Sequence, residues 1–213
     1  MRHVSFLILL AFVSSPAKAG LLFHTYEGES IYNGANNQGY YGTQFKVGSE
    51  DIEISRLGVY DNNGDGLVNT HNVAIWDVNG TLLASQSFQG TSGELIEDWR
   101  FLAISSSITL SANTSYRIAA ETTDTNAPDG QPWSGTVLTD SSVTKSDGSY
   151  YHNDPSGLNF PDIHDEHHRV FGNAFIAAAA AVPEPGSVAF LSLGLMCYGF
   201  AICRRKKRHA QVS

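Results

Sequence analysis

Asn72–Phe88 reads NVAIWDVNGTLLASQSF, two apolar-rich runs on either side of Asn79-Gly80. Asn-Gly favours the positive φ angles of a tight hairpin turn, so this stretch predicts two antiparallel strands, Asn72–Asp77 and Thr81–Phe88. The pattern continues outward in both directions. Short apolar or alternating runs at Leu21–Tyr26, Tyr41–Val47, Ile52–Tyr60, Trp99–Ile104, Ser107–Leu110, Ser115–Glu121, Gly135–Thr139 and Val170–Ile176 predict further strands. Ser111-Ala112-Asn113-Thr114 separates two of them as a turn. Gly20–Ile176 contains no sustained helical period with caps. Many short strands without interleaved helices predict an all-β fold, a single antiparallel β-sandwich of jelly-roll or immunoglobulin-like type. Polar, Gly and Pro residues dominate Thr122–Pro161, which is expected to form long loops and to carry any binding site.

Both ends of the chain differ from this middle. Arg2 and His3 lead into the apolar run Val4–Val13, and Ala17-Lys18-Ala19 offers a small-x-small cleavage site before Gly20. That pattern predicts a secretory signal peptide over residues 1–19. The β-sandwich is expected over 20–176, a small-residue stalk over 177–187, an apolar helix over 188–203 and a basic tail over 204–213. Basic residues directly after an apolar helix stay on the cytoplasmic side, because moving them through hydrocarbon is costly. The 16 residues of Val188–Cys203 reach only about 24 Å at helical rise, against a hydrocarbon core of about 30 Å. So short a helix suits a transient anchor in the inner membrane.

Seven of the 13 Lys and Arg, and one of the 21 Asp and Glu, lie outside Gly20–Val182. Six basic against 20 acidic residues leave that segment at −14. Such a surface excludes nucleic acid as a partner and favours divalent cations. Both cysteines, Cys197 and Cys203, fall in the apolar helix, so neither a disulfide nor a thiolate is available to the exported part.

Pro183-Glu184-Pro185-Gly186 stands before the apolar helix, and Arg204-Arg205-Lys206-Lys207-Arg208 follows it. Two prolines and a glycine cannot continue a helix, so the tetrapeptide forms an accessible hinge. In this order at the C-terminus the elements resemble the PEP-CTERM sorting signal of Gram-negative bacteria. The resemblance implies recognition by an exosortase, a membrane transpeptidase that cuts near Pro183-Glu184-Pro185 and passes the product to the cell surface or extracellular matrix. A second likeness lies upstream. RLGVYDNNGDGLVNTHNVAIWDVNGTLLAS (Arg56–Ser85), WRFLAISSSITLSANTSYRIAAE (Trp99–Glu121) and RVFGNAFI (Arg169–Ile176) resemble a β-sandwich module of unknown function recurring in PEP-CTERM surface proteins. It implies a fold and contributes no catalytic residue.

Asp61–Asn69 (DNNGDGLVN) has the opening of a calcium loop. Asp61, Asn63 and Asp65 would supply oxygens at the first, third and fifth positions, Leu67 a backbone carbonyl, and Asn69 a ligand directly or through water. Position twelve is Asn72, so the bidentate Glu is missing, and Glu53 or Asp77 would have to complete the shell. His164-Asp165-Glu166-His167-His168, with His152 upstream, is the densest ionisable cluster. If extended it places His164, Glu166 and His168 on one face, the basis of a metal-dependent hydrolase alternative, although the spacing of a zinc protease helix is absent. His24 and His71 are expected to be structural or exposed. Trp76 and Trp99 are expected in the core. Trp133 lies in a Gly/Pro loop where its ring could stack on a saccharide, the basis of a carbohydrate-binding or adhesive alternative directed at exopolysaccharide. No G-x-S-x-G and no Walker loop occurs. The expectation is a non-enzymatic surface protein, with calcium as its one candidate ion.

Overall fold

A computed structural model describes residues 19–177 except 25–26, 33–37, 123–128, 137, 147 and 168–169. The expected signal peptide, stalk, apolar helix and basic tail fall on 1–18 and 178–213, outside the described residues. Among the described residues no helix is long and apolar enough to cross a membrane.

The strands are β1 (Gly20–Leu21), β2 (Glu27–Tyr32), β3 (Gly39–Val47), β4 (Ile52–Tyr60), β5 (Leu67–Asp77), β6 (Leu82–Gly90) and β7 (Glu94–Ile96). They continue as β8 (Trp99–Leu110), β9 (Ser115–Thr122), β10 (Gln131–Thr136), β11 (Val143–Lys145), β12 (Ser149–His152), β13 (Ile163–Asp165) and β14 (Gly172–Ile176). One sheet runs β1-β14-β4-β8-β7. The other runs β13-β12-β3-β9-β5-β6, with β11 also on β3, and β2 with β10 forms a separate ribbon. Every pairing among the described strands is antiparallel. The two large sheets make the sandwich that the alternating runs predict.

Period-two alternation decides which face each side chain takes. Val73 and Ile75 of β5 and Ile118 and Ala120 of β9 join Phe45, Ile54, Leu57, Val59 and Phe88 in the main core. Each of the Val, Ile, Leu and Phe side chains among them, fully buried, contributes roughly 1.5–3 kcal/mol. The alternate residues Ala74, Trp76 and Ala119 meet Tyr40 and Phe160 in a second cluster on the outer face. Trp99 is fully buried in the main core, whereas Trp76 is buried in the outer cluster. Arg117 fixes the segment that carries Phe160: its guanidinium lies 3.8 Å from the Tyr150 ring centre and 4.6 Å from that of Phe160. It also donates to the Pro161 carbonyl at 2.7 Å.

Several sequence expectations change. The β5–β6 turn has the positive φ that Asn-Gly favours at Gly80, +89°, and not at Asn79. Asp77 N donates to Thr81 O at 3.0 Å around a three-residue loop. Asp77 Oδ1 accepts the amides of Thr81 and Asn79, both at 2.9 Å, and these bonds hold its carboxyl below the usual range. Trp99–Ile104 and Ser107–Leu110 are one strand, β8, continued through a bulge opposite β4. Leu21–Tyr26 is not a full strand; β1 stops at Leu21, and Phe23 makes an isolated bridge to Thr139. The loops expected over Thr122–Pro161 contain β10, β11 and β12: the short β11 and β12 pair with the longer β3, and β10 pairs with β2 in the ribbon.

β1 lies beside β14, with Gly20 opposite Ile176, so the first and last described strands are neighbours. Asn173, fully buried, fastens this corner. Its Oδ1 accepts the amides of Phe23 (3.0 Å) and Ala174 (2.8 Å), and its Nδ2 donates to the Phe23 carbonyl at 2.7 Å. A side-chain amide thus stands in for a strand partner. Asn173→Ala orphans both polar groups of Phe23 and is expected to cost about 2 kcal/mol, read by urea unfolding.

Candidate functional site

The polar side chains gather at one end of the sandwich, where β4 and β9 finish and β5 begins. Asn62–Gly64 forms a single 3-10 turn after β4, with Asn63 at φ +69°. Asn is among the few residues that accept this left-handed conformation readily. Asp61 is buried, Leu67 is buried, and Asn63 and Asp65 are exposed.

A cation does sit on Asp61, and it belongs to the protein. Arg100 Nε donates to Asp61 Oδ2 at 2.5 Å, while its other nitrogens donate to the carbonyls of Thr91 (3.2 Å) and Gly64 (3.1 Å). Asp61 Oδ1 accepts the Gly66 amide at 3.3 Å. The guanidinium therefore takes a carboxylate and a loop carbonyl, two oxygens of the kind a calcium ion would use. Neither Glu53 nor Asp77 completes a shell. Glu53 is eight residues back along β4 from Asp61, about 26 Å at strand rise, and Asp77 caps its own turn at the far end of β5. Among the described residues, no three His, Cys, Asp or Glu come together as a metal cluster. Asp98 lies close by, and burial, then the charges of Glu97 and Asp61, push its carboxyl above the usual range. A raised carboxylate pKa means folding disfavours the charged form, so this site loses stability as pH rises through it. Asp98→Asn is expected to raise the melting temperature at pH 7.

His71 and Asp129 form the second matched pair. His71 Nε2 lies 2.7 Å from Asp129 Oδ2, and Nδ1 lies 2.8 Å from the Glu121 carbonyl. The ring also packs edge-on against Phe171, 5.3 Å between centres. The amides of Val68 and Asn69 donate to Asp129 at 2.6 and 3.1 Å. Burial works against ionisation of Asp129. Hydrogen bonds from His71, Val68 and Asn69, with the His71 charge, outweigh it and hold the carboxyl below its usual range. A carbonyl and an ionised carboxylate can only accept, so the geometry suits a ring that donates from both nitrogens. Asn69, read as a calcium ligand, thus has its backbone N–H on Asp129. On the outer face, Glu121 accepts from Asn72 Nδ2 and from the Tyr40 hydroxyl at 3.4 Å. Burial, and then the Glu121 charge, push the Tyr40 phenol far above its usual range.

The histidine cluster separates into local contacts. His152 pairs with Asp162 at 3.1 Å, and His167 with Asp165 at 2.5 Å. His164 packs edge-on against Tyr150, Glu166 is exposed, and His168 lies outside the described residues. His24 reaches Glu97 at 3.3 Å. Trp133 is not in a loop: it is the extra residue of a bulge in β10, between Pro132 and Ser134, and its side chain lies outside the described residues. Pro183, Glu184, Pro185, Gly186 and the five basic residues from Arg204 to Arg208 also lie outside them.

The profile of a domain of unknown function (DUF4082) matches residues 29–171. The chain belongs to this family. A PEP-CTERM protein-sorting motif matches residues 181–206 of the same DUF4082 chain. The motif implies export with a membrane-associated C-terminal sorting signal and processing by an exosortase membrane enzyme. No curated protein matches this DUF4082 protein.

Sequence reasoning missed Arg100, Asp129 and Glu121 and left His71 without a role. Arg100 is one of only six Lys and Arg in Gly20–Val182. A lone cation inside a strand that is otherwise apolar at its start was the signal that a buried carboxylate partner existed.

Proposed function

We propose that this DUF4082 domain is a non-catalytic module of the cell surface or extracellular matrix, delivered there by cleavage of its C-terminal signal near Pro183-Glu184-Pro185. The carrying observation is the sorting motif at residues 181–206, placed directly behind a sandwich that ends at Ile176. The polar end of the sandwich supports the non-catalytic half. A catalytic group must reach substrate, yet His71 is 2% exposed and Asp129 7%, and each is spent on the other. Arg100 already neutralises Asp61, which supports a loop ordered without a bound ion.

The test is the C-terminal mass of protein recovered from the surface of cells that express the full chain. The expected product ends close to Pro183–Pro185, and a mass intact through Ser213 overturns the processing step. Its melting temperature is expected to be indifferent to a calcium chelator. A drop on chelation would overturn the ion-free loop, because a ligand bound only to the folded state raises its stability.

A further inference from the structure

We propose that β6 is the surface through which two copies of this chain pair edge to edge. An exposed strand edge is a template for another strand, and proteins guard such edges with shortness, charge or proline. Among the described edges two long stretches lack such guards, β6 and residues 102–110 of β8 beyond β7, and they lie beside each other; the rest are guarded. β1 has two residues, β7 has three with Glu94, and β13 has three with His164 and Asp165. β11 has three with Lys145, and the β2–β10 ribbon carries Glu27, Glu29 and Pro132. β6 ends its sheet with nine residues, LLASQSFQG, and has neither charge nor proline.

Electrostatics selects the occupant. Gly20–Val182 carries a net charge of −14, yet Thr81–Gly93 contains no Asp, Glu, Lys or Arg, and neither does Leu102–Tyr116. These two stretches lie side by side, for Gln86 Nε2 of β6 donates to the Ala103 carbonyl of β8 at 3.1 Å. The result is a neutral strip, with Ser85, Ser87, Gln89, Ser105, Ser106 and Ser107 exposed, on an acidic body. A second copy brings the same neutral strip, whereas contact elsewhere sets like charge against like. Antiparallel pairing of identical strands also closes on itself about a two-fold axis, so it ends at a dimer. Pairing centred on Gln86 would set Leu82, 44% exposed, across from Gly90 of the other copy.

The natural lack of cysteine in Gly20–Val182 supplies the experiment. In the full chain with Cys197→Ala and Cys203→Ala, single substitutions Ser85→Cys, Gln86→Cys and Ser87→Cys are exported in turn. The exposed Thr144→Cys on β11 serves as control. At least one β6 cysteine is expected to give a disulfide-linked species of twice the chain mass as the main product, and the control is not. Separately, Ser85→Lys with Ser87→Lys is expected to convert the exported protein from dimer to monomer in sedimentation, with its thermal melting retained. Dimer yields no higher than the control, or an adduct of any other mass, overturn the pairing of two copies; the latter result would assign β6 to a different partner.

Discussion

Replacing Arg100 with Leu is expected to lower the melting temperature by about 10 °C, the effect of losing about 3–5 kcal/mol in a domain of this size. The substitution removes one half of a pair in which Asp61 is 1% and Arg100 5% exposed. Asp61 would then be a buried carboxylate with no counter-charge, and the carbonyls of Gly64 and Thr91 would lose their donors. The double substitution Asp61→Asn with Arg100→Leu removes the orphaned charge and is expected to recover part of the loss. A double-mutant cycle by thermal unfolding measures that coupling. If Arg100→Leu melted with the native protein, the closure of this loop by a guanidinium would be discarded.

Asp129→Ala is expected to cost a similar amount, about 3–5 kcal/mol, since it leaves a buried partner unmatched. His71, Val68 and Asn69 all direct donors at this carboxylate. The pH dependence has a definite sign. A carboxyl whose folded pKa is depressed stabilises the fold above its ordinary value of about 3.9 and loses that contribution as pH falls through the folded value. Urea unfolding of native protein and Asp129→Asn should therefore differ most above about pH 4 and converge in stronger acid. A constant gap across that range would show that Asp129 acts through packing and not through its charge.

How much of this was legible in the sequence depended on distance along the chain. Ile52–Tyr60 was readable to the residue as a strand, because its apolar run lies between turn residues, whereas the bulge that shifts the inward phase from Ile54 to Leu57 was not. The hairpin was readable together with its three-residue gap, Val78–Gly80, but the capture of two loop amides by Asp77 was not. Asp61 and Arg100 are 39 positions apart, and His71 and Asp129 are 58 apart. Nothing in local periodicity links such positions; only strand order brings them together. The calcium-like spacing of Asp61, Asn63 and Asp65 was a local pattern too, and it could not reveal that β8, four strands later, delivers Arg100 into the loop. Short strands such as β11, β12 and β13 were illegible for a related reason, since three or four residues carry too little alternation to stand out.

The adjacency of β1 and β14 has a directional consequence. The chain runs out through Ile176, and the sorting motif begins five residues later, at 181. Because β14 runs from Gly172 beside Val59 to Ile176 beside Ile54, its last residue lies at the pole opposite Asp61, His71 and Asp129. Any extension spliced on after Ala177 therefore starts a whole strand length away from those buried carboxylates.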